Sequence, residues 1–207
     1  MEKLIIGSRG SKLALKYAEI AKKAFLEELN IEIEIRKITT EGDLILDRRT
    51  SEIGGKGEFI KNIEKELISK NIDVAVHSLK DVPSIKTKGL KIECFLKRND
   101  PQEVLINKAN LTLDKIKKNS VIGTSSLRRE FQLKHLRPDL KFKLIRGNID
   151  TRIKKLDEDQ YDSIILAKAG LLSLSIENRI SEVFECEKIV PPAGQGTIVI
   201  QSRDCLL

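Results

Sequence analysis

The sequence predicts an α/β protein made of two hinged lobes with a central cleft. Patterns of short buried strands alternate with patterns of amphipathic helices along the chain, which is typical of this fold class. Two polar segments punctuated by proline, at 97–101 and 190–194, interrupt the alternation. We interpret them as two crossings between lobes, and a chain that crosses twice is typical of a hinged protein.

The first lobe begins with a buried strand at 4–7, followed by a helix that Ser11 is expected to cap. Isoleucines at 31, 33 and 35 alternate with glutamates, which predicts a half-buried strand. Apolar residues at helical spacing predict a second amphipathic helix over 59–67, and a buried strand follows at 72–77.

The second lobe is predicted from strand patterns at 104–106, 121–122, 142–145 and 163–167, with a helix over 129–134. We therefore expect one lobe to consist of residues 1–97 with 190–207, and the other of residues 98–189. We expect this organisation to be of the periplasmic-binding-protein-like type.

The net charge is +7, from 38 lysines and arginines against 31 aspartates and glutamates. Nucleic acid is therefore a candidate partner, and so is a polyanionic small molecule. Aromatic residues make up only 4% of the chain and tryptophan is absent, which leaves little material for stacking on bases. Charge alone does not decide between the two partners.

No apolar run is long enough to span a bilayer, and the N-terminal apolar stretch soon meets charge, unlike a secretory signal. The three cysteines, Cys94, Cys186 and Cys205, are widely spaced and outside any CxxC pattern. Neither a disulfide framework nor a metal site is indicated, and we expect a cytoplasmic protein without a membrane partner.

The segment GTSSLRR at 123–129 lies where a buried strand gives way to a helix. Hydroxyl groups, backbone N–H groups and the positive end of a helix dipole converge there, with two arginines directly behind them, which favours anion binding. Alternatively, Thr124 or Ser125 only caps the helix and the arginines point to water. The segment by itself supports both interpretations.

Polar residues also follow other predicted strands. Arg9 and Ser11 follow the first strand, and Ser78 and Lys80 follow the 72–77 strand. Arg146 follows the 142–145 strand, and Arg152 comes further along the chain. Ligands of open α/β sheets bind beyond the carboxyl ends of the strands, so these clusters together predict an anion-binding cleft. We interpret His77 as a hydrogen-bonded packing residue. Asp81 is the acidic exception: it pairs with a neighbouring cation, or it steadies a cationic intermediate or handles a proton.

Several segments together resemble the porphobilinogen deaminase (hydroxymethylbilane synthase) family. They occur in the family's order and cover essentially the whole chain: GSRGSKLAL at 7–15, TEGD at 40–43, GGKG at 54–57, VHSLKDVP at 76–83, GTSSLRR at 123–129, LIRGN at 144–148 with Thr151 and Arg152, ILAKAG at 165–170 and PPAGQG at 191–196.

The resemblance implies an enzyme of tetrapyrrole (heme) biosynthesis that joins four porphobilinogen molecules head to tail, releases ammonia each time and forms hydroxymethylbilane. It implies a dipyrromethane cofactor held by a cysteine, and Asp81 as the catalytic residue. It places Lys56 and Phe59 on or beside an active-site loop. It further implies cofactor and substrate contacts from basic and polar side chains: Arg9, Ser11, Ser78, Lys80, Thr124, Ser125, Ser126, Arg128, Arg129, Arg146, Gly147, Asn148 and Arg152.

The family carries its cofactor cysteine in a third, C-terminal domain, and we expect that domain to be absent from this chain. None of the three cysteines matches the attachment motif.

Two alternatives to the enzyme stay open: a non-catalytic homologue that binds polypyrroles or other polycarboxylates, and a nucleic-acid-binding protein. We place nucleic acid last, since the basic residues follow strands rather than line one helix face, and we expect a monomer.

Overall fold

The computed structural model describes residues 3–40, 57 and 60–204. They divide into two compact units. The first holds residues 3–40, 57, 60–99 and 196–204, and the second is Asp100–Gln195. The predicted α/β class with two lobes is confirmed. None of the helices in these residues is long and apolar enough to cross a membrane.

The division between units differs from the predicted boundaries at both crossings. Asn99 stays with the first unit, where its N–H donates to the carbonyl of Gly196 at 2.8 Å. Residues 190–195 belong to the second unit, since the N–H of Val190 donates to Gln132 at 2.7 Å. The side chain of Gln195 donates to the carbonyl of Pro101 at 2.6 Å. Local hydrogen bonds of this kind cannot be read from composition.

The sheet of the first unit has the strand order β2-β1-β3-β10-β4. Strands β1, β2 and β3 run parallel, whereas β10 pairs antiparallel with both β3 and β4. The strands are β1 (Lys3–Arg9), β2 (Glu32–Ile38), β3 (Val74–Ser78), β4 (Leu90–Phe95) and β10 (Ile198–Arg203).

Two helices complete the first unit, α1 (Lys12–Glu28) and α2 (Lys61–Ile68). Helix α1 begins as predicted, since Ser11 accepts a hydrogen bond from the N–H of Ala14 at 3.2 Å. Its buried face packs on one core cluster, and Ile63 and Leu67 of α2 pack in another. The apolar faces of the two helices therefore pack against β1 and β3, the strands that lead into the candidate residues.

The sheet of the second unit has the strand order β7-β6-β8-β5-β9. Strands β6, β7 and β8 run parallel, and β5 pairs antiparallel with β8 and β9. The elements are β5 (Glu103–Ile106), β6 (Val121–Gly123), β7 (Lys141–Lys143), β8 (Ser163–Ala167) and β9 (Glu182–Phe184), with helices α3 (Leu127–Leu136), α4 (Ile149–Asp157) and α5 (Lys168–Ser173).

Candidate functional site

In the first unit, the predicted catalytic residue lies on a tightly held turn directly after β3. Residues Leu79–Asp81 form one turn of 3₁₀ helix, in which Lys80 and Asp81 are half-buried. The N–H of Leu79 donates to the carbonyl of Thr197 at 2.9 Å, and that of Val82 donates to Leu79 at 3.1 Å. The turn is therefore fixed at both ends by backbone hydrogen bonds.

Arg9 and Ser11 follow β1, which pairs in parallel with β3. Because the carboxyl ends of parallel neighbours meet at one edge of a sheet, Arg9 and Ser11 lie at the same edge as Ser78 and Asp81. Both Arg9 and Asp81 contribute to the electrostatic field at His77. The hydroxyl of Ser11 is used as the cap of α1, and neighbouring Ser8 is fully buried, donating to Ala14.

His77 belongs to a chain of side-chain hydrogen bonds that crosses the first unit. Thr87 donates to Glu64 at 2.7 Å, Gln201 donates to the other oxygen of Glu64 at 2.8 Å, and Gln201 contacts Nε2 of His77 at 2.9 Å. Because the amide nitrogen of Gln201 serves Glu64, its carbonyl oxygen faces His77, so Nε2 carries the hydrogen. The structure thus agrees with the interpretation of His77 as a hydrogen-bonded packing residue.

Burial lowers the pKa of His77 below its ordinary value, although Gln201 and the nearby carboxylates oppose the shift. Below about pH 6.5 the unfolded chain binds a proton that the folded state does not take up, so stability falls as pH falls. We expect the free energy of unfolding, measured in urea, to fall as the pH is lowered below about 6.5, by at most about 1.4 kcal/mol per pH unit.

The matched control for this prediction is the other histidine, His135, which is exposed on α3. The variant His77→Gln should flatten the pH dependence between pH 5.5 and 7.5, and His135→Gln should leave it unchanged. An equal flattening in both variants would contradict the assignment to His77.

In the second unit, Thr124, Ser125 and Ser126 form the turn between β6 and α3. Ser126 caps the helix by accepting from the N–H of Arg129 at 3.4 Å. Thr124 is buried, and its hydroxyl accepts from the N–H of Ser126 at 3.2 Å. The helix cap is thus Ser126, and not Thr124 or Ser125 as the capping alternative had it. Thr124 supports the turn instead, and Ser125 is half-buried between them.

The second basic cluster follows the neighbouring strand β7 and leads into α4. Asn148 is the residue before α4, and no side-chain capping bond forms there. The backbone of Gly147 has φ +109°, and an added Cβ would come within 2.8 Å of Thr151, so glycine is required. Arg152 donates from Nε to the carbonyl of Gly147 at 2.7 Å, and Arg146 is buried. Helices α3 and α4 therefore present their N-termini at one edge of the sheet.

Arg128 and Arg129 share one acidic partner, Glu103 at the start of β5. Nη2 of Arg129 donates to Oε2 of Glu103 at 2.6 Å, and Nη2 of Arg128 donates to Oε1. The carboxylate is fully buried, so neither arginine is simply a solvated charge. Burial lowers the pKa of Arg128, and Glu103 opposes this. The sequence prediction missed Glu103, for which the only signal is an acid beside the apolar run Val104–Ile106.

Lys56 and Phe59, the predicted loop residues, lie outside the described residues, as does Cys205. Cys94 is exposed and Cys186 is half-buried, and both are free thiols. Within the described part of the chain, no three histidine, cysteine, aspartate or glutamate side chains group as a metal site.

Residues 4–205 match a family model described as porphobilinogen deaminase, dipyromethane cofactor binding domain. The chain belongs to the porphobilinogen deaminase family. It is 48% identical over 208 residues to the porphobilinogen deaminase of Bacillus velezensis, and 46% identical over 210 residues to that of Bacillus thuringiensis. These alignments cover 99% of this chain and 66% and 67% of the two relatives, so the chain spans about two thirds of their length.

Solved structures share the fold at low sequence identity. A putative methionine-binding lipoprotein of Bacillus subtilis gives a TM-score of 0.55 at 12% identity, covering 99% of this chain and 84% of that protein. A periplasmic binding protein of Salmonella typhimurium, described as highly specific for arginine, gives 0.56 at 11%, covering 100% and 87%. This chain thus has the periplasmic-binding-protein-like fold predicted for it. The description of the matched family model makes dipyrromethane the expected cofactor.

Proposed function

We propose that the protein is a hydroxymethylbilane synthase, which condenses four porphobilinogen molecules into linear hydroxymethylbilane with loss of one ammonia per step. The observation that carries the proposal is the placement of Asp81. It is a carboxylate on a fixed turn at the end of β3, at the same sheet edge as Arg9, within a chain of the porphobilinogen deaminase family. The described basic residues at other strand ends support the same chemistry.

The substrate's own charges explain why many cations accompany one carboxylate. Each pyrrole unit carries two carboxylate groups, so a growing chain gathers negative charge that guanidinium groups and helix N-termini hold well. We assign this holding role to Arg9, Ser11, Ser78, Lys80, Thr124, Ser125, Ser126, Arg128, Arg129, Arg146, Gly147, Asn148 and Arg152, with Lys56 and Phe59 at the active-site loop.

Asp81 would act at a different part of the substrate. When the C–N bond to the departing ammonia breaks, positive charge develops on the pyrrole ring and its exocyclic carbon. A carboxylate held beside the ring nitrogen stabilises that charge, and it does so best if it is oriented before the reaction begins. The backbone hydrogen bonds of Leu79 and Val82 fix the turn that carries this carboxylate.

The residues of both units suit a dipyrromethane group, because its four carboxylates require the same donors as the substrate does. Arg128, Arg129, Arg146 and Arg152 would hold it in the second unit, together with the N-terminal turns of α3 and α4. When bound, the group supplies the pyrrole carbon to which the first substrate unit is joined. The matched domain description supports this assignment.

We extend the proposal to the cellular context of the protein. The scattered cysteines and the absence of a CxxC pattern favour a reducing cytoplasm. The sparse aromatic residues disfavour nucleic acid as a partner, and a substrate of low molecular weight requires no second subunit. We therefore propose a cytoplasmic monomer that takes porphobilinogen, without a nucleic-acid or membrane partner.

The proposal is tested by incubating the wild-type chain with porphobilinogen, with and without preformed hydroxymethylbilane. We expect porphobilinogen to disappear and ammonia and hydroxymethylbilane to form. Intact mass measures any dipyrromethane that has become attached, and peptide mapping locates it. Saturable binding of porphobilinogen in calorimetry without ammonia release, at every protein concentration, would instead indicate a non-catalytic polycarboxylate-binding protein and would refute the proposal.

A further inference from the structure

Glu103 occupies a position that cannot readily move. Its side chain is fully buried, and its backbone lies in β5, between Ala167 of β8 and Phe184 of β9. A residue paired with strands on both sides is fixed by the sheet ladder. Glu103 is therefore a permanent acceptor, not a surface side chain that stands in temporarily for a ligand.

Arg128 and Arg129 are adjacent in the sequence, and each makes a second hydrogen bond, to a backbone carbonyl. Arg128 donates to the carbonyl of Val190, and Arg129 donates to that of Ile165 at 3.1 Å. Each guanidinium thus has two fixed acceptors, which set the orientation of its plane. The Nε of Arg129 is buried without a hydrogen-bond partner in the described residues, so one donor of this guanidinium stays unsatisfied. The other hydrogen bonds hold its plane.

The charges of this cluster are unequal. Two guanidiniums share the single carboxylate of Glu103, which leaves a formal excess of one positive charge among these three groups. Arg129 is mostly buried, whereas 28% of the Arg128 side chain is exposed. A carboxylate from outside can therefore reach Arg128 and balance the excess without displacing Glu103.

We propose that Glu103 is a positioning residue, which holds Arg128 and Arg129 in the orientation that receives a ligand carboxylate. The proposal rests on the proposed function for the identity of the ligand, and its geometry rests on the second unit alone. Glu103 does not touch the ligand. It removes the need to order two long side chains at the moment of binding.

The decisive variant is Glu103→Asp, which keeps the charge but withdraws the carboxylate by about 1.5 Å, one methylene. Since the charge is unchanged, a change in affinity reports orientation. We expect the dissociation constant for porphobilinogen, measured by calorimetry, to rise about tenfold, or about 1.4 kcal/mol. An unchanged dissociation constant in the folded variant would overturn the proposal.

The control is Glu182→Asp, a conservative change on neighbouring β9. Glu182 is also largely buried, but its carboxylate accepts from the N–H of Leu113 and pairs with Lys188. Glu182→Asp should alter thermal stability without altering the dissociation constant. Glu103→Asp would behave in the same way if Glu103 had only a structural role. An equal loss of affinity in both variants would overturn the positioning role.

A second measurement uses only the wild-type protein. In the ligand-free wild type, nitrogen-detected NMR should show separate, slowly averaging Nη signals for Arg128 and Arg129, since both planes are held. Fully averaged signals would overturn the proposal.

Wild type that fails to bind porphobilinogen would refute the proposed function, and the positioning role of Glu103 with it. Wild type that binds alongside an unaffected Glu103→Asp would refute the Glu103 proposal alone.

Discussion

The variant Asp81→Asn is expected to consume porphobilinogen about 10²- to 10³-fold more slowly than wild type, because in the proposed mechanism it removes the charge that faces the developing cation. The side chain keeps its size, and the 3₁₀ turn is held by the backbone of Leu79 and Val82, so folding should be preserved. The rate of ammonia release measures the effect, and circular dichroism verifies the fold.

The matched control for Asp81 is Asp139→Asn. Asp139 is also half-buried, and its pKa is lowered by Arg137, with which it pairs at 2.7 Å. That ion pair is structural, so the control should retain wild-type turnover with slightly lower stability. If Asp81→Asn retained more than half of the wild-type rate, the catalytic assignment would be wrong.

The strands and helices that the sequence predicted best are those whose pattern is local. Residues 163–167 are five consecutive small or apolar residues, and β8 (Ser163–Ala167) matches that run. Helix α1 follows from its cap and its apolar spacing. Strand β10 (Ile198–Arg203) was not predicted, because what makes it a strand is antiparallel pairing with β3 and β4, more than 100 residues earlier in the chain.

The candidate site was predictable in its chemistry and less so in its contacts. Strand ends and hydroxyl or basic residue types suffice to indicate anions, and Ser11 caps its helix as predicted, whereas the cap of α3 is Ser126 and not Thr124 or Ser125. The partner of Arg128 and Arg129 was not predictable, because Glu103 is 25 residues away in sequence and only the sheet brings it near. Gln201 was missed for the same reason, since it reaches His77 only once β10 is paired.

The variant Glu103→Gln is expected to lower the free energy of unfolding by about 3–5 kcal/mol, because it leaves a buried guanidinium without its charge partner. Urea unfolding measures this loss. The exposed pair of Lys108 and Asp159 provides the control: it has a similar 2.7 Å separation, but the side chains are 43% and 82% exposed. Asp159→Asn should therefore cost less than about 1 kcal/mol. Similar losses in both variants would mean that water reaches Arg129, and the cluster would then lack the rigidity that the role of Glu103 requires.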